Sequence, residues 1–157
     1  MIIYTDGSAH PNPGPGGYGV VVCDNDNNII DCYQHQELNT TNNIQELKAI
    51  LYCMLKYGVN INTDDFVQDI PTIYSDSSYA INTYSNWMFV WARNNWLKSD
   101  NKVPENLELI QAYYDWYNKG YRINLKKIKG HSGIEGNELA DKLATGKITI
   151  NEVKHGK

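Results

Sequence analysis

Short apolar runs open the chain, and the spacing of its hydrophobic positions then shifts from the two-residue period of strands to the longer period of helices. Residues 2–6 (IIYTD) form a β-branched and aromatic run ending at Asp6, and residues 7–17 after it are dense in Gly and Pro. A second run, 18–23, returns as the hairpin partner, and 29–36 (IIDCYQHQ) follows a polar DNDNN turn as a third. Three sequential strands with short turns predict an antiparallel meander. The period then changes: Ile44, Leu47, Leu51 and Leu55 fall at helical spacing, with Ala49 and Ile50 filling out the apolar side. Asn42 or Asn43 can cap this helix and Gly58 can end it. A polar loop over 59–70 leads to a short strand, 72–75, ending at Asp76. Tyr79, Thr83 and Trp87, with Trp91 and Trp96 beyond, predict further helix; Pro104 opens another, which Gly120 ends. Residues 121–128 read as a last strand, and a glycine-bearing turn leads into a helix from about Glu135. The pattern predicts an α/β fold with a mixed sheet, as one domain over 1–150, and a short, polar, loose tail over 151–157.

Composition narrows the class. A chain of 157 residues that is 41% hydrophobic and 20% charged is large enough for a real core and too apolar to be wholly disordered. Its net charge of −4 argues mildly against a nucleic-acid partner, although carboxylates that hold cations subtract from the sum without repelling a polyanion. Cys23, Cys32 and Cys53 make neither a metal-ligand spacing nor a disulfide framework and read as small buried hydrophobes. With no targeting signal and no long apolar run, the expected location is the cytoplasm. Frequent Asn reads as compositional bias rather than chemistry.

Four acids hold the candidate chemistry. Asp6 and Asp76 each close an expected strand, which is also where an Asp serves as a simple turn former. Glu46 falls in the expected first turn of its helix, and Asp141 lies inside the last helix. Were the four to converge, their mutual repulsion would demand cations, and an all-oxygen ligand set favours Mg²⁺ or Mn²⁺ over Zn²⁺. Two such ions about 3.5–4 Å apart clamp the attacking and leaving oxygens of a phosphodiester displacement.

The segments YTDGSAHPNPGPGGYG, TTNNIQELKAI, IYSDSSYA followed by Trp87, and KGHSGIEGNELADKLA together resemble ribonuclease H of type 1 over almost the full chain. The resemblance implies a ribonuclease H-like fold: a five-stranded mixed sheet in the order 3-2-1-4-5, its first three strands antiparallel, flanked by helices. It implies an endonuclease that hydrolyses the RNA strand of an RNA–DNA hybrid, leaving 3′-hydroxyl and 5′-phosphate ends. Two Mg²⁺ per site, with Mn²⁺ as a substitute, would be held by Asp6, Glu46, Asp76 and Asp141. His131 matches a loop histidine that assists proton movement or product release. Asn12, Asn42 and Asn43 match minor-groove contacts, Thr41 a phosphate pocket for the DNA strand, and Trp87 a ring beside the DNA backbone, although a core position for Trp87 stays open. The partner is the hybrid duplex, with no membrane, and the protein is expected to be a monomer.

Three departures from the family pattern bear on affinity. The stretch after the tryptophan helix, WARNNWLKSDNKVPEN, keeps Arg93, Lys98 and Lys102 but is far less charged than the basic protrusion of bacterial members. Ser78 stands where many members carry Gln, and the loop over 59–70 is longer than usual. Weaker and more salt-sensitive hybrid binding than in strongly basic relatives is therefore expected. Three rival readings use the same residues: another nuclease or strand-transfer enzyme of this fold, a non-catalytic hybrid-binding protein, or a fragment of a reverse transcriptase polyprotein.

Overall fold

A computed structural model describes residues 1–63, 69–130 and 132–155. In chain order the elements are β1 (Ile2–Ala9), β2 (Gly14–Cys23), β3 (Ile29–Thr40), α1 (Asn42–Tyr57), β4 (Val59–Asn60) and β5 (Thr72–Ser75). There follow α2 (Ser78–Asn82), a π-helical turn (Thr83–Trp87), α3 (Met88–Arg93), α4 (Leu107–Asn118), β6 (Tyr121–Arg122), β7 (Asn124–Lys127), α5 (Glu135–Thr145) and α6 (Ile150–His155). The main sheet has five strands in the order β3-β2-β1-β5-β7. The first three form the antiparallel meander, and β5 and β7 run parallel to β1 and to each other. This is the expected mixed sheet. Strands β4 and β6 pair separately as a small ribbon, which shifts the numbering of the last two sheet strands.

Side-chain alternation along the strands divides the core into two layers. Ile3, Val20, Val22 and Ile73 face α1, where Leu47, Ile50 and Met54 are fully buried, and Tyr84, Met88, Ile110 and Tyr113 extend this layer. Tyr4, Val21, Cys23 and Cys32 face the other way, toward Ala140 and Leu143 of α5. All three cysteines are buried and unpaired, as their scattered positions suggested.

Several boundaries move from expectation. Strands β1, β2 and β3 run on to residue 9, begin at residue 14 and reach residue 40, so much of the Gly/Pro segment is itself paired strand. Thr41, not Asn42 or Asn43, caps α1: its hydroxyl accepts the Ile44 N–H at 3.1 Å. Leu55 is 52% exposed, so the apolar face of α1 is narrower than its spacing implied. Helix α4 starts at Leu107 rather than at Pro104, after Asn106 in a left-handed conformation. Asn27, Asn95, Asn101 and Asn106 all have positive φ, a conformation Asn tolerates better than most side chains. Some of the asparagine read as compositional bias therefore has a backbone role. The expected loose tail forms α6, whose Ile150 and Val153 pack under the Tyr4–Val21 layer. Within the expected 59–70 loop, 59–60 is β4, and 64–68 lie outside the described residues.

Candidate active site

Strand pairing brings the first two acids together. The parallel register Ile2↔Thr72, Ile3↔Ile73, Tyr4↔Tyr74, carried two residues further, sets Asp6 level with Asp76. Only Asp76 closes its strand. Asp6 lies within β1, which continues to Ala9 on pairing with β2 alone. Past Tyr4 the β5 side of β1 is free of ladder pairing, and that gap is where the site opens.

Helix α1 delivers the third acid. Because Thr41 is the cap, Glu46 lies one residue beyond the first turn and is buried at 5% exposure, not placed there by dipole attraction. Its carboxylate accepts the Gly7 N–H at 2.8 Å and lies 3.4 Å from the Ser75 hydroxyl. Glu46 is thus tied to β1 and β5 at once. The close approach depends on Gly7, because a Cβ there would sit 2.5 Å from the backbone of Gln45 and Glu46. Gly7→Ala is expected to lower stability by about 1–3 kcal/mol through overpacking and to reduce activity by displacing Glu46. Thermal melting alongside a turnover assay checks this, and an unchanged melting temperature with full activity refutes it.

Asp6, Glu46 and Asp76 each place a carboxylate oxygen within 4.8 Å of the others. Burial raises the Asp6 carboxyl most, and Glu46 and Asp76 raise it further, to about 10. Burial likewise lifts Glu46 to about 7, with Asp76 adding to the rise and the Asp6 and Gly7 hydrogen bonds opposing it. The two act as a coupled pair that retains a proton unless a cation replaces it. A compact, oxygen-only, partly buried set of this kind fits a hard divalent cation.

Asp141 arrives from the opposite layer. Helix α5 packs onto β2 at Gly19, where a Cβ would meet the Ala140 carbonyl at 2.3 Å, and Gly19 is the strand partner of Asp6. Asp141 approaches Asp6 closely enough to help it hold its proton, but it is not one of the three acids in the tight cluster. It flanks the cluster instead. His131 lies outside the described residues; its neighbour Gly130 packs against Asp76, whose Oδ2 would be 2.6 Å from a Cβ at that glycine.

The expected substrate contacts gather on the same side as α1. Asn42 accepts the Ala9 N–H at 2.6 Å through its side chain, and its own backbone N–H donates to Asn12 at 3.2 Å. The first hairpin and the start of α1 are thereby locked together. Asn12, Thr41 and Asn43, with Glu105 and Asn106, line a groove of about 560 Å³. Trp87 is 37% exposed and packs at an angle on Trp91 and Tyr79. That settles its placement as a surface ring. The π-helical turn explains it, since the wider turn sends Tyr84 and Met88 inward and leaves Trp87 outside. Ser75 and Gly7 were not among the expected site residues; only their adjacency to Asp6 and Asp76 could have flagged them.

Comparison with known proteins bears on this geometry. The family model described as RNase H matches residues 1–149. Ribonuclease H of Thermoanaerobacter sp. (strain X514) is 39% identical over 153 residues, spanning 95% of this chain and 90% of the relative. Ribonuclease H of Caldanaerobacter subterraneus subsp. tengcongensis is 42% identical over 149 residues, spanning 93% and 89%. The crystal structure of LC11-RNase H1 in complex with an RNA/DNA hybrid superposes with a TM-score of 0.63 at 25% identity, over 98% of each chain.

Proposed function

The chain belongs to the RNase H family, and from this premise we propose that it is an endonuclease hydrolysing the RNA strand of RNA–DNA hybrids, leaving 3′-hydroxyl and 5′-phosphate ends. The observation that carries the proposal is the trio Asp6, Glu46 and Asp76, with carboxylate oxygens within 4.8 Å of one another at the open end of the β1–β5 pairing. A protein that only bound hybrids would gain nothing from burying such mutually repelling acids.

In this reading Asp6 and Asp76 are the central pair, Glu46 and Asp141 flank them, and together they hold two Mg²⁺, or Mn²⁺ in their place. When bound, such ions neutralise the scissile phosphate and lower the pKa of the attacking water. Gly7 and Ser75 hold the Glu46 carboxylate within the cluster, where it would help position an attacking water. The side-chain amides of Asn12, Asn42 and Asn43 offer donors and acceptors to the minor groove, where 2′-hydroxyls distinguish RNA from DNA. Thr41 sits beside the α1 N-terminus, a favourable place for a DNA-strand phosphate, and Trp87 stacks along the DNA backbone. His131 is assigned its proton-moving or product-releasing role from the KGHSG motif alone. A cytoplasmic monomer completes the proposal; the buried, unpaired thiols agree with a reducing compartment. Among the described residues, no helix is long and apolar enough to cross a membrane.

The test uses labelled RNA–DNA hybrid, RNA duplex and DNA duplex, each with Mg²⁺, with Mn²⁺ and with chelator. Cleavage confined to the RNA strand of the hybrid, dependent on added metal, is expected. Equal cutting of all three duplexes, or undiminished cutting in chelator, overturns the assignment.

A further inference from the structure

Positive charge is unevenly placed in this net-acidic chain. Residues 116–134 include Lys119, Arg122, Lys126, Lys127 and Lys129 but no Asp or Glu. In the 93–108 stretch after the tryptophan helix, by contrast, Arg93, Lys98 and Lys102 are balanced by Asp100, Glu105 and Glu108. The fold then divides the five cations of the basic stretch. Lys119 lies over the Trp116 ring and Arg122 over the Tyr117 ring, where Arg122 also donates to the Tyr117 and Tyr121 carbonyls. Lys126, Lys127 and Lys129 are exposed, and none of them forms an ion pair among the described residues.

These three lysines stand beside the acids. Strand β7 is the sheet edge, parallel to β5, and Lys127 is paired with Ser75, whose hydroxyl faces Glu46. Three residues further on, Gly130 packs against Asp76. By strand alternation Lys127 shares a face with Leu125, on the layer that also carries the Trp87 segment, while Lys126 shares the opposite face with Ile128. Lysines on an edge strand also have a plain use, since charge discourages pairing between sheets. Such protection serves a whole edge, however, and here the charge is crowded into 126–129, at the end where the acids sit, after the uncharged Asn124 and Leu125.

We propose that the C-terminal end of β7 is the principal cationic contact for the phosphate backbone of the hybrid, taking the place of the charge-balanced 93–108 stretch. Adjacent strands are about 4.8 Å apart, so β7 lies one spacing from Asp76 and two from Asp6. At ~3.4 Å of rise per nucleotide, the lysines meet the backbone within about three nucleotides of the cleaved bond. The inference rests on the hybrid as substrate and on the acid cluster as the place of cleavage.

The experiment measures hybrid binding against salt concentration, in chelator so that nothing is cut. Lys126→Gln/Lys127→Gln/Lys129→Gln is compared with the Arg triple at the same positions and with Arg93→Gln/Lys98→Gln/Lys102→Gln. With each phosphate contact adding ~0.9 to the slope of log affinity against log salt, the β7 Gln triple is expected to lose about 2–3 of that slope. The Arg triple is expected to keep the slope, and the 93–102 triple to lose less than about 1. Should the Gln triple melt early, Lys127→Gln/Lys129→Gln carries the test with a loss of about 1–2. An unchanged slope, with or without new aggregation, reduces the lysines to edge protection and overturns the proposal; so does a larger loss in the 93–102 triple. Because slopes come from binding in chelator, a wild type that shows them and still leaves the RNA uncut once Mg²⁺ or Mn²⁺ is added refutes the function reading, whereas the cationic contact is judged on the slopes alone.

Discussion

Asp76→Asn is expected to lower turnover of an RNA–DNA hybrid at least ~10³-fold, equivalent to about 4 kcal/mol of transition-state stabilisation, while hybrid affinity stays within a small factor of wild type. The substitution keeps the shape of the side chain and removes the charge that a divalent cation needs. Asp76 is half-buried at the end of β5, and its carboxylate completes the cluster with Asp6 and Glu46. The groove at Thr41 and Asn43, the Trp87 ring and the β7 lysines are untouched by the change, so binding and chemistry should separate. Single-turnover cleavage and binding titrations on the same preparation measure both quantities. Turnover within tenfold of wild type would remove Asp76 from the metal site.

Asp6→Asn is expected to abolish cleavage and, without metal, to make the protein more stable. In the folded chain burial, with the neighbouring acids behind it, holds the Asp6 carboxyl up at about 10, against an ordinary value of 3.8. Between those values the folded state binds a proton that the unfolded state has lost. The contribution of Asp6 is therefore fully present below about pH 4 and drains away as pH rises toward 10. Glu46, lifted to about 7, adds a loss of the same sign over a narrower window. The neutral amide escapes this loss. At pH 8 in chelator the Asp6→Asn protein should therefore melt at a higher temperature than wild type, by a margin that shrinks as pH falls toward 5. Wild type should recover the difference when Mg²⁺ or Mn²⁺ is added, because a ligand that binds only the folded state stabilises it, and Asp6→Asn should respond far less. Melts in chelator from pH 5 to pH 9 provide the check. Wild-type stability that rises with pH across this window, or an Asp6→Asn protein that melts earlier than wild type in chelator, contradicts the account.

The contrast between these two acids shows how far the sequence could be read. Both were expected at strand ends, yet Asp6 lies buried inside β1 and reaches the site beside Asp76 only because β5 stops pairing with β1 after Tyr74. That is a property of the partner strand and is invisible in the residues around Asp6. Glu46 was assigned to a first turn with a dipole to favour it; the Thr41 cap moves it onward, and what holds it is the Gly7 amide 39 positions earlier. Trp87 could have been core or surface at helical spacing. A π-helical turn decided it, and a single turn of five residues is too short to show a hydrophobic period. The tail looked polar because Ile150 and Val153 stand among polar and charged neighbours, but the layer beneath Tyr4 supplies the surface that makes a helix of it.

Local chemistry alone carried the meander, the long first helix and the buried cysteines, because each rests on periodicity or turn residues within a short window, whereas the four acids were singled out by resemblance to a family's motifs. Convergence was decided by packing. Gly7 lets α1 close on β1, Gly19 seats α5 opposite Asp6, and the parallel register of β5 brings Asp76 level with it. Each of those facts joins residues far apart in the chain through the absence of a side chain or the alignment of a strand. No local pattern encodes such a contact, so an acid that resembles a turn former in the sequence becomes part of a metal-ready cluster only in three dimensions.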